Sequence, residues 1–266
     1  MPTYVVTGAR AGIGLEYINQ LSKSPSNTVI ALVRSTSPSS STSLSALEAI
    51  RSSSIATTHI LECDVSSEAS IAALPGRLSA VLDKGHGTTP AKVDFLINNA
   101  ATLQFAHQTS LTLDKEGLDV HMKTNVLGPA RMVQVLMPFL TAKRGDEDES
   151  EDEGEGGKRI AAVIANITSG AGSLGWISDG RVGMLAGYSI SKAALNMLTV
   201  HQAKELQSEG VVAVAVDPGH VKTASGGSGA TVEVKDSARG ILSLLAGLKA
   251  ADSGRFFLYN GTSVPW

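Results

Sequence analysis

The chain has 266 residues and a formal net charge of −3, and 42% of its residues are hydrophobic but only 4% are aromatic. These values predict one α/β domain whose core is largely aliphatic, as in buried parallel sheets. They exclude a membrane-spanning chain, because no run approaches the roughly 18 apolar residues of a span, and a nucleic-acid-binding protein, because a strongly basic, aromatic-rich face is missing.

Strand-like segments alternate with helical ones along the chain. The predicted strands are Tyr4 to Thr7, Thr28 to Val33, Ile60 to Val65, Val93 to Asn98, Ile160 to Ile167, Val211 to Val216 and Gly254 to Tyr259. The predicted helices include Gly14 to Lys23, Ser67 to Lys84 and Val126 to Lys143. Such alternation predicts a single-domain Rossmann fold, a doubly wound parallel sheet of about seven strands flanked by helices. Ligands of this architecture bind beyond the carboxyl ends of the strands.

The start of the chain and its cysteine and histidine content indicate the compartment and the absence of a metal. Residues 1–7 enter a strand pattern without the leader of a secreted protein, so we expect a cytoplasmic protein. The single cysteine, Cys63, lies in an apolar stretch and is expected to be buried, with a reactive thiol as the alternative. The six histidines show no metal-ligand spacing, so no metal site is expected.

Two polar segments interrupt the alternation. Residues 35–45 are nearly all Ser, Thr and Pro, and residues 145–157 hold eight carboxylates and no basic side chain. We expect both to be surface loops, the second an acidic, disordered insertion, although it could also contact a basic partner. The rest of the chain is mildly basic, which suits an anionic small cofactor.

A glycine-rich turn joins the first predicted strand to the first helix. Gly8, Gly12 and Gly14 follow Thr7 with the spacing G-x-x-x-G-x-G. Glycine lets the backbone approach a pyrophosphate closely, and the N-terminus of a helix attracts it through unpaired N–H groups. The turn therefore predicts a dinucleotide-binding site, and a glycine-rich bend without a ligand is the alternative.

The end of the second predicted strand bears on which dinucleotide binds. NAD sites commonly carry a carboxylate there, whereas the 2′-phosphate of NADP requires a cation. Here Arg34 follows the strand, and Arg10 and Ser35 are further candidates for the phosphate. The sequence therefore favours NADP (NADPH) as the cofactor, and a solvated loop charge is the alternative role for Arg34.

Tyr188 and Lys192 are spaced as Y-x-x-x-K. On a helix, residues four apart lie on the same face as neighbours. An ammonium beside a phenol favours the phenolate and should lower the pKa of the tyrosine, which would then donate a proton near neutral pH. Because this spacing also arises by chance, the pair alone does not establish a catalytic role.

Together these motifs resemble those of the short-chain dehydrogenase/reductase family over essentially the whole chain. The matching elements are T-G-x-x-x-G-x-G at Thr7 to Gly14, Asp64-Val65, N-N-A at Asn98 to Ala100, Asn125, Ser169, Y-x-x-x-K at 188–192 and P-G-x-V-x-T at Pro218 to Thr223. Residues 217–223 and 256–266 are similar to those of the C-factor and sniffer-type carbonyl reductases and of fungal norsolorinic acid ketoreductase-like enzymes.

The resemblance implies a role for each matching residue. The implied cofactor-binding residues are Gly8, Arg10, Gly12, Ile13, Gly14, Arg34, Asp64, Val65, Asn98, Ala100, Asn125, Tyr188, Lys192, Pro218, Gly219, Val221 and Thr223. Tyr188 would protonate a carbonyl oxygen that Ser169 orients. Lys192 would hold the nicotinamide ribose, and Asn125 would position a relay water. The family also implies a small-molecule carbonyl substrate, a homodimer or homotetramer, and no nucleic acid or membrane partner.

The chain departs from the family pattern at two places. Ala101 replaces the glycine that often follows N-N-A, which stiffens that turn. The interval between Ser169 and Tyr188 is longer than usual, so residues 175–186 are expected to loop over the substrate. Thr168 and Ser173 are the alternatives to Ser169 as the catalytic hydroxyl.

The substrate pocket is predicted from the residues next to these motifs. Its expected walls are Leu103, Phe105, Trp176 and Met184, for which ordinary packing is the alternative. Residues 224–230 are glycine-rich and could form a mobile lid. His220 either lines the pocket or stabilises its loop.

The predicted function is NADPH-dependent reduction of a ketone or aldehyde to an alcohol. The same residues would support an NADP-dependent alcohol dehydrogenase that works in the oxidising direction. A non-catalytic NADP(H)-binding regulator is the third candidate. The complete set of Asn125, Ser169, Tyr188 and Lys192 argues against it, since a regulator needs no proton donor.

Overall fold

The structure, a computed structural model, describes residues 1–37, 44–82, 91–143, 160–181 and 185–266. The predicted acidic insertion at 145–157 and the predicted pocket residue Met184 lie outside these residues. The described residues form a parallel sheet with helices on both faces, which confirms the predicted Rossmann fold.

The sheet contains seven strands in the described part of the chain. They are β1 (Thr3–Thr7), β2 (Thr28–Val33), β3 (Thr57–Glu62), β4 (Phe95–Asn98), β5 (Ala162–Ile167), β6 (Val211–Asp217) and β7 (Phe256–Leu258). Their order is β3-β2-β1-β4-β5-β6-β7, and neighbouring strands are parallel. β2 and β3 lie on one side of β1, and β4 to β7 follow in order on the other side. A ligand crevice is expected beyond the carboxyl ends of β1 and β4.

Helices follow most of the strands. They are α1 (Gly12–Leu21), α2 (Ser45–Ser53), α3 (Glu68–Ala72), α4 (Leu74–Leu82), α5 (Lys115–Met122), α6 (Gly128–Leu140), α7 (Leu174–Ser178), α8 (Ala186–Glu205) and α9 (Val234–Ala246). Lys123–Leu127 is a π-helical segment, and Gly170–Gly172 and Ala250–Asp252 are 3₁₀ turns. Within the described ranges, no helix is both long and apolar enough to cross a membrane.

The two faces of the sheet carry separate hydrophobic cores. Ile18 of α1 and Ile241 of α9 pack in one of them, and Leu78 of α4 and Leu136 of α6 pack in the other. Cys63 belongs to the second core and is only 3% exposed. Burial raises the pKa of its thiol to about 11, so the thiol stays protonated, as expected for a core residue rather than a reactive one.

The third strand ends earlier than predicted. It was expected over Ile60 to Val65, but the sheet pairing stops at Glu62. The reason is a turn made by Asp64, whose Oδ1 accepts hydrogen bonds from the backbone N–H of Ser66 at 2.9 Å and from its hydroxyl at 2.7 Å. The chain therefore leaves the sheet where the cleft begins.

Proline changes the bounds of two predicted helices. The segment 67–84 forms α3 and α4 instead of one helix, because Pro75 has no N–H with which to continue α3. The helix expected over 126–143 is regular only from Gly128 to Leu140. Pro129 cannot donate to the carbonyl of Asn125 four residues earlier, which accounts for the wider π-helical segment before α6.

Candidate active site

A cleft opens beyond the carboxyl ends of β1, β4, β5 and β6, where the topology predicts a ligand. Its volume is about 1150 Å³, which exceeds the roughly 300–1,000 Å³ of ordinary small-molecule sites. The walls come from the glycine turn, the strand ends, the start of α8 and the loop after β6. The cleft is therefore large enough for a dinucleotide together with a small substrate.

The glycine turn forms the part of the cleft between β1 and α1. Gly8 and Gly12 have φ angles of 67° and 57°, in the left-handed region that favours glycine. A Cβ on Gly14 would lie 2.3 Å from the carbonyl oxygen of Gly8, so this approach requires glycine. Ala11, before α1, makes no side-chain hydrogen bond to the helix, and Ile13 lines the cleft. The N–H groups of the first helical turn are therefore placed to bind phosphate.

Two arginines line the cleft near the end of β2. Arg34 follows the strand directly, and Arg10 projects from the glycine turn, whereas Ser35 is outside the cleft wall. Glu62, at the end of β3, accepts hydrogen bonds from the N–H and hydroxyl of Thr36 at 2.9 and 3.1 Å. These bonds hold the pKa of the Glu62 carboxyl below its usual range. Two arginines in this part of the cleft wall suit a cofactor that carries an extra phosphate.

Asp64 and Val65, which were predicted to bind the cofactor, also lie in the wall of the cleft. Asp64 and Val65 follow β3 directly and both line the cleft. A Cβ on Gly128 would lie 2.8 Å from the carbonyl oxygen of Val65, so the start of α6 packs directly against this segment. The fold thus fixes the pair beside the arginine-lined end of the cleft.

The N-N-A element contributes differently than predicted. Asn98 is only 2% exposed, and its Nδ2 donates to Asn166 Oδ1 at 2.9 Å, away from the cleft. Asn99 and Ala100 line the cleft instead. Consecutive residues at a strand end point in opposite directions, so only one of two adjacent asparagines can face the ligand. Asn99 donates from Nδ2 to the carbonyl of Thr7 at 2.9 Å, which ties β4 to the glycine turn.

Ser169 and Tyr188 both line the cleft, close enough for Ser169 to act to lower the pKa of Tyr188. Ser169 precedes the 3₁₀ turn after β5, and its Oγ accepts from the N–H of Ala171 at 3.1 Å. The alternative hydroxyls have other partners. Thr168 donates to the carbonyl of Lys192 at 3.3 Å, and Ser173 donates to the carbonyl of Pro265 at 2.6 Å. Ser169 is therefore the hydroxyl placed to act with Tyr188.

Lys192 lies one helical turn after Tyr188 in α8. Its Nζ is 5.6 Å from the centroid of the Tyr188 ring and donates to the carbonyl of Ile167 at 2.8 Å. Lys192 is only 2% exposed, and this burial lowers its pKa to about 7, an effect that the negative charge of Asp217 opposes. The helical juxtaposition predicted for the pair is present.

The pKa of Tyr188 is shifted in the direction opposite to the one predicted. Burial raises it to about 12, whereas the hydrogen bond to Ser169 acts to lower it and the charge of Asp217 to raise it. The cost of removing the phenolate from water exceeds any gain from the nearby amine. In this state the phenol is therefore fully protonated at neutral pH.

Asn125 lies in the π-helical segment and is completely buried. Its Oδ1 accepts from the N–H of Thr102 at 2.8 Å, and its Nδ2 donates to the carbonyl of Thr102 at 3.1 Å and to the hydroxyl of Ser191 at 3.0 Å. Through these bonds, Asn125 connects Thr102, in the segment after β4, to Ser191 of α8. They place Asn125 behind the cleft wall, and its predicted relay water stays a prediction.

The loop after β6 closes the side of the cleft near Ser169. Pro218, Gly219, Val221 and Thr223, which were predicted to bind the cofactor, all line the cleft. Gly219 has a φ of 80°, which favours glycine. His220 also lines the cleft and makes a 2.6 Å contact from Nε2 to the carbonyl of Gly226. It thus combines the two roles considered for it.

The predicted substrate residues are only partly brought together. Leu103 and Trp176 line the cleft, but Phe105 does not. Phe105 has a φ of 51° and lies in a turn closed by a 3.0 Å bond from the N–H of Gln108 to its carbonyl. Several other cleft residues, among them Thr124, Asp217, Val232 and Tyr259, were given no individual role by the sequence.

Comparisons with known proteins agree with this geometry. The family model for short chain dehydrogenases matches residues 2–231. The C-signal protein of Myxococcus xanthus is 38% identical over 174 residues, which cover 65% of this chain and 93% of that protein. The short-chain dehydrogenase/reductase atnB of an Arthrinium species is 30% identical over 232 residues, which cover 84% of this chain and 76% of that protein.

A solved structure supports the same relationship. The NADPH-bound carbonyl reductase from chicken fatty liver has a TM-score of 0.83 with this chain at 28% identity, and the match covers 100% of this chain and 99% of that one. The family match includes the glycine turn, Ser169, Tyr188 and Lys192, which lie together in the cleft. The resemblance predicted from the motifs is confirmed, and the chain belongs to the short chain dehydrogenase family of oxidoreductases.

Proposed function

We propose that the protein reduces a ketone or aldehyde to an alcohol, with NADPH as the hydride donor and Tyr188 as the proton donor. One observation carries this proposal: Ser169 and Tyr188 line the same cleft as the buried amine of Lys192, whose Nζ lies 5.6 Å from the centroid of the Tyr188 ring. This group lies in the same cleft as the glycine turn, so a hydride donor and a proton donor could reach one carbonyl group together.

NADPH is the proposed cofactor because of the residues at the glycine-turn end of the cleft. The N–H groups around Gly12 suit a pyrophosphate, and Arg34 with Arg10 suits a 2′-phosphate. The chicken liver carbonyl reductase, which shares this fold, is NADPH-bound. Asp64 would contact the adenine, and Lys192 the nicotinamide ribose. When bound, NADPH supplies the hydride that reduces the carbonyl carbon.

The side chains divide the remaining chemistry between them. Ser169 donates a hydrogen bond to the carbonyl oxygen, which fixes its orientation and stabilises its developing negative charge. The O–H bond of Tyr188 then breaks while the O–H bond of the alcohol forms. The raised pKa of Tyr188, about 12, keeps the phenol protonated until that step. The ammonium form of Lys192 stabilises the phenolate that remains.

The walls of the cleft beside Ser169 favour an apolar or aromatic carbonyl compound. Leu103, Trp176 and Leu185 contribute apolar surface there. Ala224, Ser225 and Gly226 also line the cleft, and they begin the glycine-rich segment 224–230, which could close over the substrate.

We also propose that two copies of the chain associate through α8. Ile190, Met197 and Val200 are apolar residues of this helix that are 44%, 61% and 38% exposed. Exposed apolar residues on one helix are a common feature of subunit interfaces. Leu127, just before α6, is 57% exposed and adds to the apolar surface of the chain.

A carbonyl panel assayed with NADPH and with NADH tests the proposed function. Loss of nicotinamide absorbance should require a carbonyl compound and should be faster with NADPH. Assays with NADP and the corresponding alcohols would measure the oxidising direction. Tight NADPH binding without turnover of any carbonyl or alcohol would contradict the proposed enzymatic role.

A further inference from the structure

Asp217 is a buried carboxylate at the centre of the cleft that the proposed mechanism does not use. It is the last residue of β6 and only 6% exposed, and it lines the cleft. Val216, the residue before it, pairs with Ile167 of β5. The carbonyl of Ile167 is the acceptor for Lys192 Nζ. The strand register therefore brings Asp217 beside the group that holds Lys192.

The two carboxylate oxygens of Asp217 connect two parts of the site. Oδ2 accepts a hydrogen bond at 2.9 Å from the N–H of Gly170, the residue after Ser169. Oδ1 accepts one at 2.8 Å from the N–H of Gly219, in the loop that lines the cleft after β6. A Cβ on Gly170 would lie 3.0 Å from Oδ2, so the approach is close. One side chain thus fixes the position of the Ser169 turn relative to this loop.

Burial raises the pKa of the Asp217 carboxyl, whereas the N–H bonds from Gly219 and Gly170 and the charge of Lys192 act to lower it. As an anion, Asp217 acts on Lys192 and Tyr188 of α8. It opposes the fall in the pKa of Lys192 that burial causes, and it adds to the rise in the pKa of Tyr188. Among the described residues, two further titratable groups face this cluster: His220, in the loop after β6, acts on Asp217, and His121 of α5 has its ring 6.2 Å from that of Tyr188. An anion here favours the protonated forms of both Lys192 and Tyr188.

We propose that Asp217 is a positioning residue that favours the protonated form of Lys192 and fixes the position of Ser169 relative to the loop at 218–223. A carboxylate is needed for both tasks, because it accepts two N–H bonds and also carries a negative charge. An asparagine would keep one acceptor oxygen and lose the charge. The consequence for catalysis rests on the proposed function, but the effect on Lys192 does not.

The Asp217→Asn variant tests the proposal without any substrate. Carbon NMR of lysines labelled at Cε would follow the titration of Lys192, whose resonance is identified by its loss in Lys192→Met. The midpoint should fall by about one pH unit or more when the charge of Asp217 is removed. The matched control is Asp236→Asn, which neutralises an aspartate paired with Arg239 on the surface of α9 and should leave the midpoint unchanged. An unchanged midpoint in Asp217→Asn would overturn the proposal.

The pH profile of turnover provides a second readout. Loss of the anion destabilises the protonated forms of Lys192 and Tyr188, so the alkaline limb of kcat should move to lower pH in Asp217→Asn. A purely structural role would lower kcat equally at every pH, and that result would contradict the proposal. If Asp217→Asn does not fold, the pair Asp217→Glu and Asp217→Gln makes the same comparison by NMR. The Lys192 midpoint should be lower with Gln, and equal midpoints would refute the electrostatic role.

Discussion

Ser169, which follows β5, and Tyr188, which lies in α8, face the same cleft closely enough that Ser169 acts to lower the pKa of Tyr188. Burial of this pair raises the pKa of Tyr188 to about 12, while burial of Lys192 lowers its pKa to about 7. Both shifts favour the neutral forms, which is the usual effect of a low-dielectric site. The proton to be donated is therefore held on the phenol before any substrate binds.

Arg34 is expected to determine cofactor preference. In Arg34→Gln, kcat/KM with NADPH should fall by about tenfold or more, as for loss of a charged hydrogen bond, while the value with NADH should change little. Arg34→Asp should move the preference further toward NADH, because a carboxylate suits the free ribose. Arg51→Gln, an exposed arginine of α2, is the control and should keep the wild-type ratio. An unchanged ratio in both Arg34 variants would contradict the assignment.

Gly14 is expected to tolerate no side chain. A Cβ there would lie 2.3 Å from the carbonyl oxygen of Gly8, so Gly14→Ala should reduce the free energy of unfolding by about 1–3 kcal/mol and weaken NADPH binding. Gly76→Ala is the matched control, since a Cβ at this exposed position of α4 meets no atom within 4 Å. It should stabilise the protein by roughly 0.5–1 kcal/mol and leave NADPH binding intact. Thermal unfolding and fluorescence titration would measure both effects, and equal behaviour of the variants would refute the argument.

The motifs found in the sequence depend on local geometry. A positive φ at Gly8 and Gly12 and a helical step from Tyr188 to Lys192 are properties of short segments, so their spacing alone predicted them. The role of Asp217 depends instead on which strand ends meet across the sheet. It could not be predicted, because the segments it connects are distant in the chain.

The pKa shift of Tyr188 and the exact end of β4 were also hard to predict, because both depend on segments that are distant in the chain. The pKa of Tyr188 is raised because the folded chain buries the side chain. The sequence shows only that Lys192 lies one helical turn away, and this neighbour alone would lower the pKa. The choice between Asn98 and Asn99 as the cleft residue depends on the phase of β4 relative to the cleft. Which of the two side chains faces the cleft can be decided only when the last residue of the strand is known.

The buried amine of Lys192 should make stability depend on pH. Its pKa is about 7 in the folded protein and about 10.4 in an unfolded chain. Between these values the unfolded state binds more protons, so the contribution of Lys192 to the free energy of unfolding should rise with pH, by up to roughly 1.4 kcal/mol per unit. Below about pH 7 both states bind the proton, and the contribution is constant.

Urea unfolding of the wild type and of Lys192→Met at about pH 6 and about pH 9 measures this dependence. The wild type should gain stability from about pH 6 to about pH 9 relative to the variant. The free energy of unfolding of Lys192→Met minus that of the wild type should therefore be lower at about pH 9 than at about pH 6. A difference that is independent of pH would show that Lys192 keeps an ordinary pKa in the folded protein.

Met197 is expected to lie in a contact between two copies of the chain. Met197→Glu should reduce the mass measured by light scattering from that of a dimer or tetramer toward that of a monomer, because it would bury a charge at the interface. Leu111→Glu is the control, since Leu111 is 94% exposed and lies in the loop before α5, outside α8 itself. A wild type that is already monomeric would contradict the proposed association.

The most direct test of the proposed chemistry compares the wild type with Tyr188→Phe on one carbonyl substrate found in the panel. The variant lacks only the phenolic hydroxyl, so kcat should fall by roughly 100-fold or more, while the Kd for NADPH measured by fluorescence should stay close to the wild-type value. Turnover by Tyr188→Phe at the wild-type rate would show that Tyr188 is not the proton donor.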